Sequence, residues 1–131
     1  MLNGMLNVLL IHDDRTAILT VARILAKMNI APVRQVLEDF HPKFLSSEMF
    51  DLIVFELFGE NRSCVVILKQ LEKWAATSGM DAPPVIVVTE DGTSQIERAL
   101  RTAKVNFFFV KPVAEPELIV AIKQCLLLPK A

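Results

Sequence analysis

The strongest constraint in this chain is a set of short apolar runs that do not alternate with polar residues: NVLLI (7–11), DLIVF (51–55), PVIVV (84–88) and VNFFFV (105–110). A strand with one wetted face shows a polar residue at every second position. Unbroken β-branched and aromatic runs of this length instead mark strands covered on both sides, as in a parallel sheet. APVRQV (31–36) is a fifth, weaker candidate. Parallel neighbours need crossover connections, so the segments between the runs should be helical.

Their spacing agrees. In 15–28, Ile18, Val21, Ala22 and Leu25 recur three and four apart, with Asp14 placed to cap the first turn. Val66, Ile67, Leu71 and Trp74 do the same in 63–75, and Ile96, Ala99, Leu100 and Ala103 in 95–103, where Ser94 and Glu97 fit a capping box. The stretch 116–127 starts with Pro116 in its first turn and stops before Pro129. A weaker helix is expected over 39–48, interrupted by Pro42. Five strands alternating with five helices predict a three-layer α/β fold: a flavodoxin-like, doubly wound, five-stranded parallel sheet with helices on both faces.

The length of 131 residues fits one domain over 1–131. The apolar fraction of 53% implies heavy burial, because no apolar run approaches the ~20 residues needed to span a bilayer. A cytoplasmic protein with no targeting segment and no membrane association is expected. Fourteen basic residues against fifteen acidic ones give a net charge of -1 without a basic stripe, which argues against direct nucleic-acid binding. Cys64 and Cys125 have no metal-ligand spacing and are expected as buried free thiols.

Doubly wound sheets bind ligands beyond the carboxyl ends of their strands. The polar residues there are His12, Asp13 and Asp14 after the first run, Glu56 after the third, Thr89, Glu90 and Asp91 after the fourth, and Lys111 followed by Pro112 after the fifth. Carboxylates, a hydroxyl and an ammonium at one sheet end suit a hard divalent cation with an anion beside it.

In this order the residues resemble the receiver domains of bacterial two-component response regulators, over nearly the whole chain. The resemblance rests on the pair Asp13-Asp14, the carboxylate ending DLIVFE, Thr89 ending PVIVVT, and VKP at 110–112. It implies that Asp13 and Asp14 form the acidic pocket that helps hold Mg2+. Glu56 then occupies the phosphoacceptor place, with Asp13, Asp14 and Glu56 the candidate metal ligands. Thr89 and Lys111 would contact a phosphoryl group, Phe108 is the switch aromatic, and the Lys111-Pro112 bond is expected to be cis.

The chain departs from that pattern where it matters most. The family's acceptor is aspartate, and glutamate carries its carboxylate roughly 1.5 Å further, which disturbs in-line attack and metal geometry together. Glu90 is bulky and anionic where the family has a small residue, and Lys104 stands where glycine is common. The expected function is therefore an atypical, phosphorylation-independent receiver domain of phosphorelay signalling, not an enzyme, with Mg2+ binding weak or absent because of Glu56. It would act as an interaction module for a signalling protein or histidine kinase. Homodimerisation would use the helix at 95–103, the strand at 105–110 and the helix at 116–127. Glu56 either imitates the phosphorylated state by reaching Thr89 and Lys111, or closes the site in an ion pair with Lys111. The alternatives are a conventional Mg2+-dependent phosphoacceptor and, in another class, a metal-dependent enzyme or small-ligand sensor on the same fold.

Overall fold

A computed structural model describes residues 6–13, 20–40, 50–57, 62–79, 81–90 and 94–127. The five apolar runs form strands β1 (Val8–His12), β2 (Val33–Val36), β3 (Leu52–Leu57), β4 (Val85–Thr89) and β5 (Phe107–Val110). They pair in parallel in the order β2-β1-β3-β4-β5. The described α-helices are α1 (Thr20–Lys27), α2 (Arg62–Ser78), α3 (Ser94–Thr102) and α4 (Glu115–Leu127).

The described residues hold four α-helices, against the five expected. Only the start of the stretch expected at 39–48 is described; there the chain makes a short 3-10 turn, Leu37–Asp39. Positions 41–49, including Pro42, lie outside the described residues, as do Asp14 and the turn it was expected to cap.

Two side-chain clamps set the strand register. Asn7 and Asp51 exchange bonds at the entrance to β1 and β3: the Asn7 N–H donates to Asp51 Oδ2 at 2.8 Å, and the Asp51 N–H to the Asn7 carbonyl at 2.7 Å. Asn106 does the same for β4, accepting from the Val85 N–H at 2.9 Å and donating its own N–H to the Val85 carbonyl at 2.9 Å. Backbone groups left over at the strand starts are thereby satisfied.

With the register fixed, alternation divides the core in two. Val8, Leu10, Leu52, Val54, Ile86 and Val88 face α1 and α4, meeting Val21, Leu25, Leu118 and Ile122. Leu9, Ile11, Ile53, Phe55, Val85 and Val87 face α2 and α3, meeting Cys64, Leu68, Leu71 and Leu100. Each fully buried Leu or Ile contributes about 1.5–3 kcal/mol of transfer free energy.

Two expectations about packing need correction. Phe107 and Phe109, in the run VNFFFV expected to be covered on both sides, are only half-buried, because β5 is an edge strand and its one sheet neighbour is β4; their rings stack on the α1–α4 side at 6.4 Å. Val66 is 54% exposed, and the inward stripe of α2 runs instead through Cys64, Ile67, Leu68 and Leu71. Trp74 does pack at the edge of the core.

Three helices end on a residue with positive φ: Asn29 at 62° after α1, Gly79 at 69° after α2, and Lys104 at 64° after α3. After α3 the Lys104 N–H donates to the Arg101 carbonyl at 3.0 Å and the Val105 N–H to the Leu100 carbonyl at 3.3 Å. This is the double reverse bond of a Schellman terminus, normally a glycine position. The glycine-like place of Lys104 is thus a real backbone feature.

Candidate functional site

The site residues gather because the register aligns the carboxyl ends of the strands. His12 at the end of β1 pairs with Glu56 on β3, Leu57 pairs with Thr89 on β4, and Thr89 pairs with Val110 on β5. Asp13 follows His12 directly, and the Lys111 N–H donates to the Thr89 carbonyl at 2.8 Å. Asp13, Glu56 and Thr89 are the buried polar residues of the described chain, at 3%, 0% and 0% exposure. The Lys111-Pro112 bond is cis, as expected.

Glu56 is fully engaged. Its Oε2 accepts from the Thr20 N–H at 2.9 Å and lies 3.0 Å from Lys111 Nζ, while its Oε1 accepts from the Val21 N–H at 3.0 Å. Thr20 and Val21 open α1, where backbone N–H groups have no partner within the helix and the helix dipole favours an anion. The Lys111 side chain is 17% exposed, so the pair is largely shielded from water.

The expected contact with Lys111 is therefore present, but the other two bonds come from the α1 backbone. Thr89 is not among the partners of Glu56 in the described residues. Alternation supplies the reason. Glu56 lies two residues beyond Val54, on the α1–α4 face, whereas Thr89 is in register with Leu57 on the α2–α3 face. Phe108 shares the Thr89 face, packs half-buried against that cluster and is in register with Val87. The additional methylene of glutamate lets the carboxylate pass the strand end and reach the first turn of α1.

His12 donates Nδ1–H to the Asp13 carbonyl at 3.1 Å and is half-buried. Glu90 is exposed. Asp14 lies outside the described residues, and among those described no three His, Cys, Asp or Glu side chains are grouped to share a cation. The two thiols are free and buried; burial pushes the Cys125 pKa up to about 11 and that of Cys64 further.

What sequence reasoning missed is the role of Thr20 and Val21. They contribute backbone donors, which leave no mark on residue type. The available signal was position: both fall in the helix that follows the acidic pair, on the side of the sheet to which Glu56 belongs by alternation.

No family model and no curated protein matches the chain. Solved structures do. A CheY-like response regulator receiver domain protein from Methanospirillum hungatei is 23% identical, with a TM-score of 0.70 over 92% of this chain and 94% of that one. The BeF3-activated N-terminal receiver domain of Klebsiella pneumoniae RstA is 14% identical, with a TM-score of 0.74 over 93% and 99%. An orphan response regulator of H. pylori is 17% identical, with a TM-score of 0.72 over 95% and 98%. The chain has the doubly wound fold of response regulator receiver domains. At these identities the likeness is one of fold. No helix among the described residues is long and apolar enough to cross a membrane.

Proposed function

We propose that this chain is a receiver domain of two-component signalling whose acceptor site is closed from within, and that it works as a phosphorylation-independent protein-interaction module. The observation that carries this reading is the engagement of Glu56: both carboxylate oxygens are bonded, one of them to the lysine that the resemblance assigns to the phosphoryl group. A carboxylate so held is a poor nucleophile and a poor metal ligand, because attack or coordination would first break bonds to Thr20, Val21 or Lys111. Mg2+ binding is accordingly weak or absent in this reading, and no catalytic step is assigned.

Of the two roles for Glu56, closure fits the geometry better than imitation of phosphate. A mimic that drives the switch must engage Thr89, and Glu56 spends its second oxygen on α1 instead. One carboxylate also carries less charge than a phosphoryl group at ≈ -1.5 to -2. The partner is a signalling protein or kinase, met through a surface and not through phosphoryl exchange.

Intact-protein mass spectrometry after incubation with acetyl phosphate and Mg2+ tests the proposal. The natural chain is expected to stay unlabelled, whereas Glu56→Asp, whose shorter carboxylate cannot reach Thr20 and Val21, gains one phosphoryl group. A label on the natural chain that maps to Glu56 would overturn the closed-site reading and restore the conventional one.

A further inference from the structure

Away from the strand ends, α2 and α3 leave a groove of about 590 Å³ between them, lined by Val65, Lys69, Glu72, Arg98, Ala99, Thr102 and Ala103. Its origin lies in the sequence. Val65, Lys69 and Glu72 stand four and three apart on one stripe of α2, while α3 offers the short side chains Ala99, Thr102 and Ala103, too small to fill the space. The floor is apolar and the walls are charged.

The charge is one-sided. Glu72 is neutralised by Lys104 at 3.7 Å and Glu97 by Arg101 at 3.6 Å. Lys69 and Arg98, facing each other across the groove, make no ion pair among the described residues. Among the described residues, four cations (Lys69, Arg98, Arg101, Lys104) against two carboxylates (Glu72, Glu97) line or border this groove, in a chain whose net charge is -1. The signs are mixed along both helices, but each carboxylate is matched by its own cation, which leaves Lys69 and Arg98 beside the apolar floor without an ion pair among the described residues.

We propose that the α2–α3 groove is a docking site for an acidic segment of a partner protein, in which one or two apolar side chains settle over Val65, Ala99 and Ala103 while carboxylates on either side meet Lys69 and Arg98. The inference rests on the interaction-module reading and names the surface that such a module would use. Charge complementarity sets the specificity, and the modest apolar floor makes the contact a weak, transient one.

The test is residue-resolved NMR on the whole chain, titrated with an equimolar pool of ten-residue peptides that alternate Asp or Glu with Leu, Ile or Phe. A second pool carries Asn and Gln in place of the acids. Shifts are expected along 65–72 and 98–104 with the acidic pool alone, at sub-millimolar concentration, and a tenfold or greater weakening in Lys69→Glu/Arg98→Glu. Absence of shifts on this face with the acidic pool overturns the proposal, as do equal shifts with the neutral pool or tighter binding of single-stranded nucleic acid to the same residues. The readout is independent of Glu56: a phosphoryl label there would overturn the closed site without moving the groove shifts, and a silent groove would leave the labelling result standing.

Discussion

The two faces of the sheet treat their charges in opposite ways. On the α1–α4 face, Glu56 and Lys111 turn toward each other and toward the start of α1, and the charge is consumed inside the molecule. On the α2–α3 face, Thr89 and Phe108 contribute no charge, and among the described residues Lys69 and Arg98 make no ion pair over a shallow apolar floor. The same helix–sheet architecture thus carries a sealed polar lock on one side and an open charged surface on the other. At the strand ends the described charges of Glu56 and Lys111 are satisfied from within, by each other and by the Thr20 and Val21 N–H groups.

The sharpest way to break the comparison is to remove the lock. Glu56→Ala leaves Lys111 and two N–H groups without their acceptor in a water-poor setting, and loss of one partner of a buried pair costs about 3–5 kcal/mol. Urea denaturation should show that drop. Replacing both charges, as in Glu56→Leu/Lys111→Met, should recover much of it, because well-packed apolar side chains substitute for buried pairs at little cost. A Glu56→Ala chain as stable as the natural one would mean that the carboxylate is hydrated and the lock is not a lock.

A smaller effect compares the faces through their thiols. Cys125 on α4 belongs to one core and Cys64 on α2 to the other, and burial raises both, Cys125 to about 11 and Cys64 beyond it. An unfolded thiol loses its proton near 8.5, so above that pH the unfolded chain binds fewer protons than the folded one, and stability falls as pH rises toward 11. Below 8.5 the thiols contribute no slope. The urea midpoint should therefore decline from about pH 9 upward, less steeply in Cys125→Ala, and Cys64 should be the slower of the two to alkylate in the native state. A flat midpoint over that window would contradict the burial of both groups.

Most of the fold was legible because buried parallel strands are written as unbroken apolar runs, and four such runs were present. The errors have a common cause: position within the sheet is not a property of a run. VNFFFV looks like a central strand, yet it forms an edge, and Val66 follows the helical period but points outward. Asp13, Glu56, Thr89 and Lys111 stand at or just beyond the carboxyl ends of neighbouring strands, as their places after the runs implied, while Asp14 lies outside the described residues. The bonds of Glu56 were half legible, since Lys111 announces itself by charge whereas the donors of Thr20 and Val21 do not. The groove was invisible for a similar reason: Ala99, Thr102 and Ala103 read as an ordinary helix face until α2 is placed beside them.

The smallest prediction compares helix termini on the two faces. Asn29 ends α1 and Lys104 ends α3 in the same left-handed conformation, with the same pair of reverse hydrogen bonds. Asparagine adopts that conformation readily, whereas lysine pays for a Cβ set against the neighbouring carbonyl, about 1 kcal/mol. Lys104→Gly should therefore stabilise the chain by about 0.5–1 kcal/mol, after allowing for the exposed pair with Glu72, which is worth a few tenths. Asn29→Gly should change stability by no more than a few tenths of a kcal/mol. Thermal melts of the two variants read the difference directly. If Lys104→Gly destabilises, the lysine holds that terminus through Glu72 more firmly than its exposure implies, and the charged side of the molecule is more internally bonded than the comparison allows.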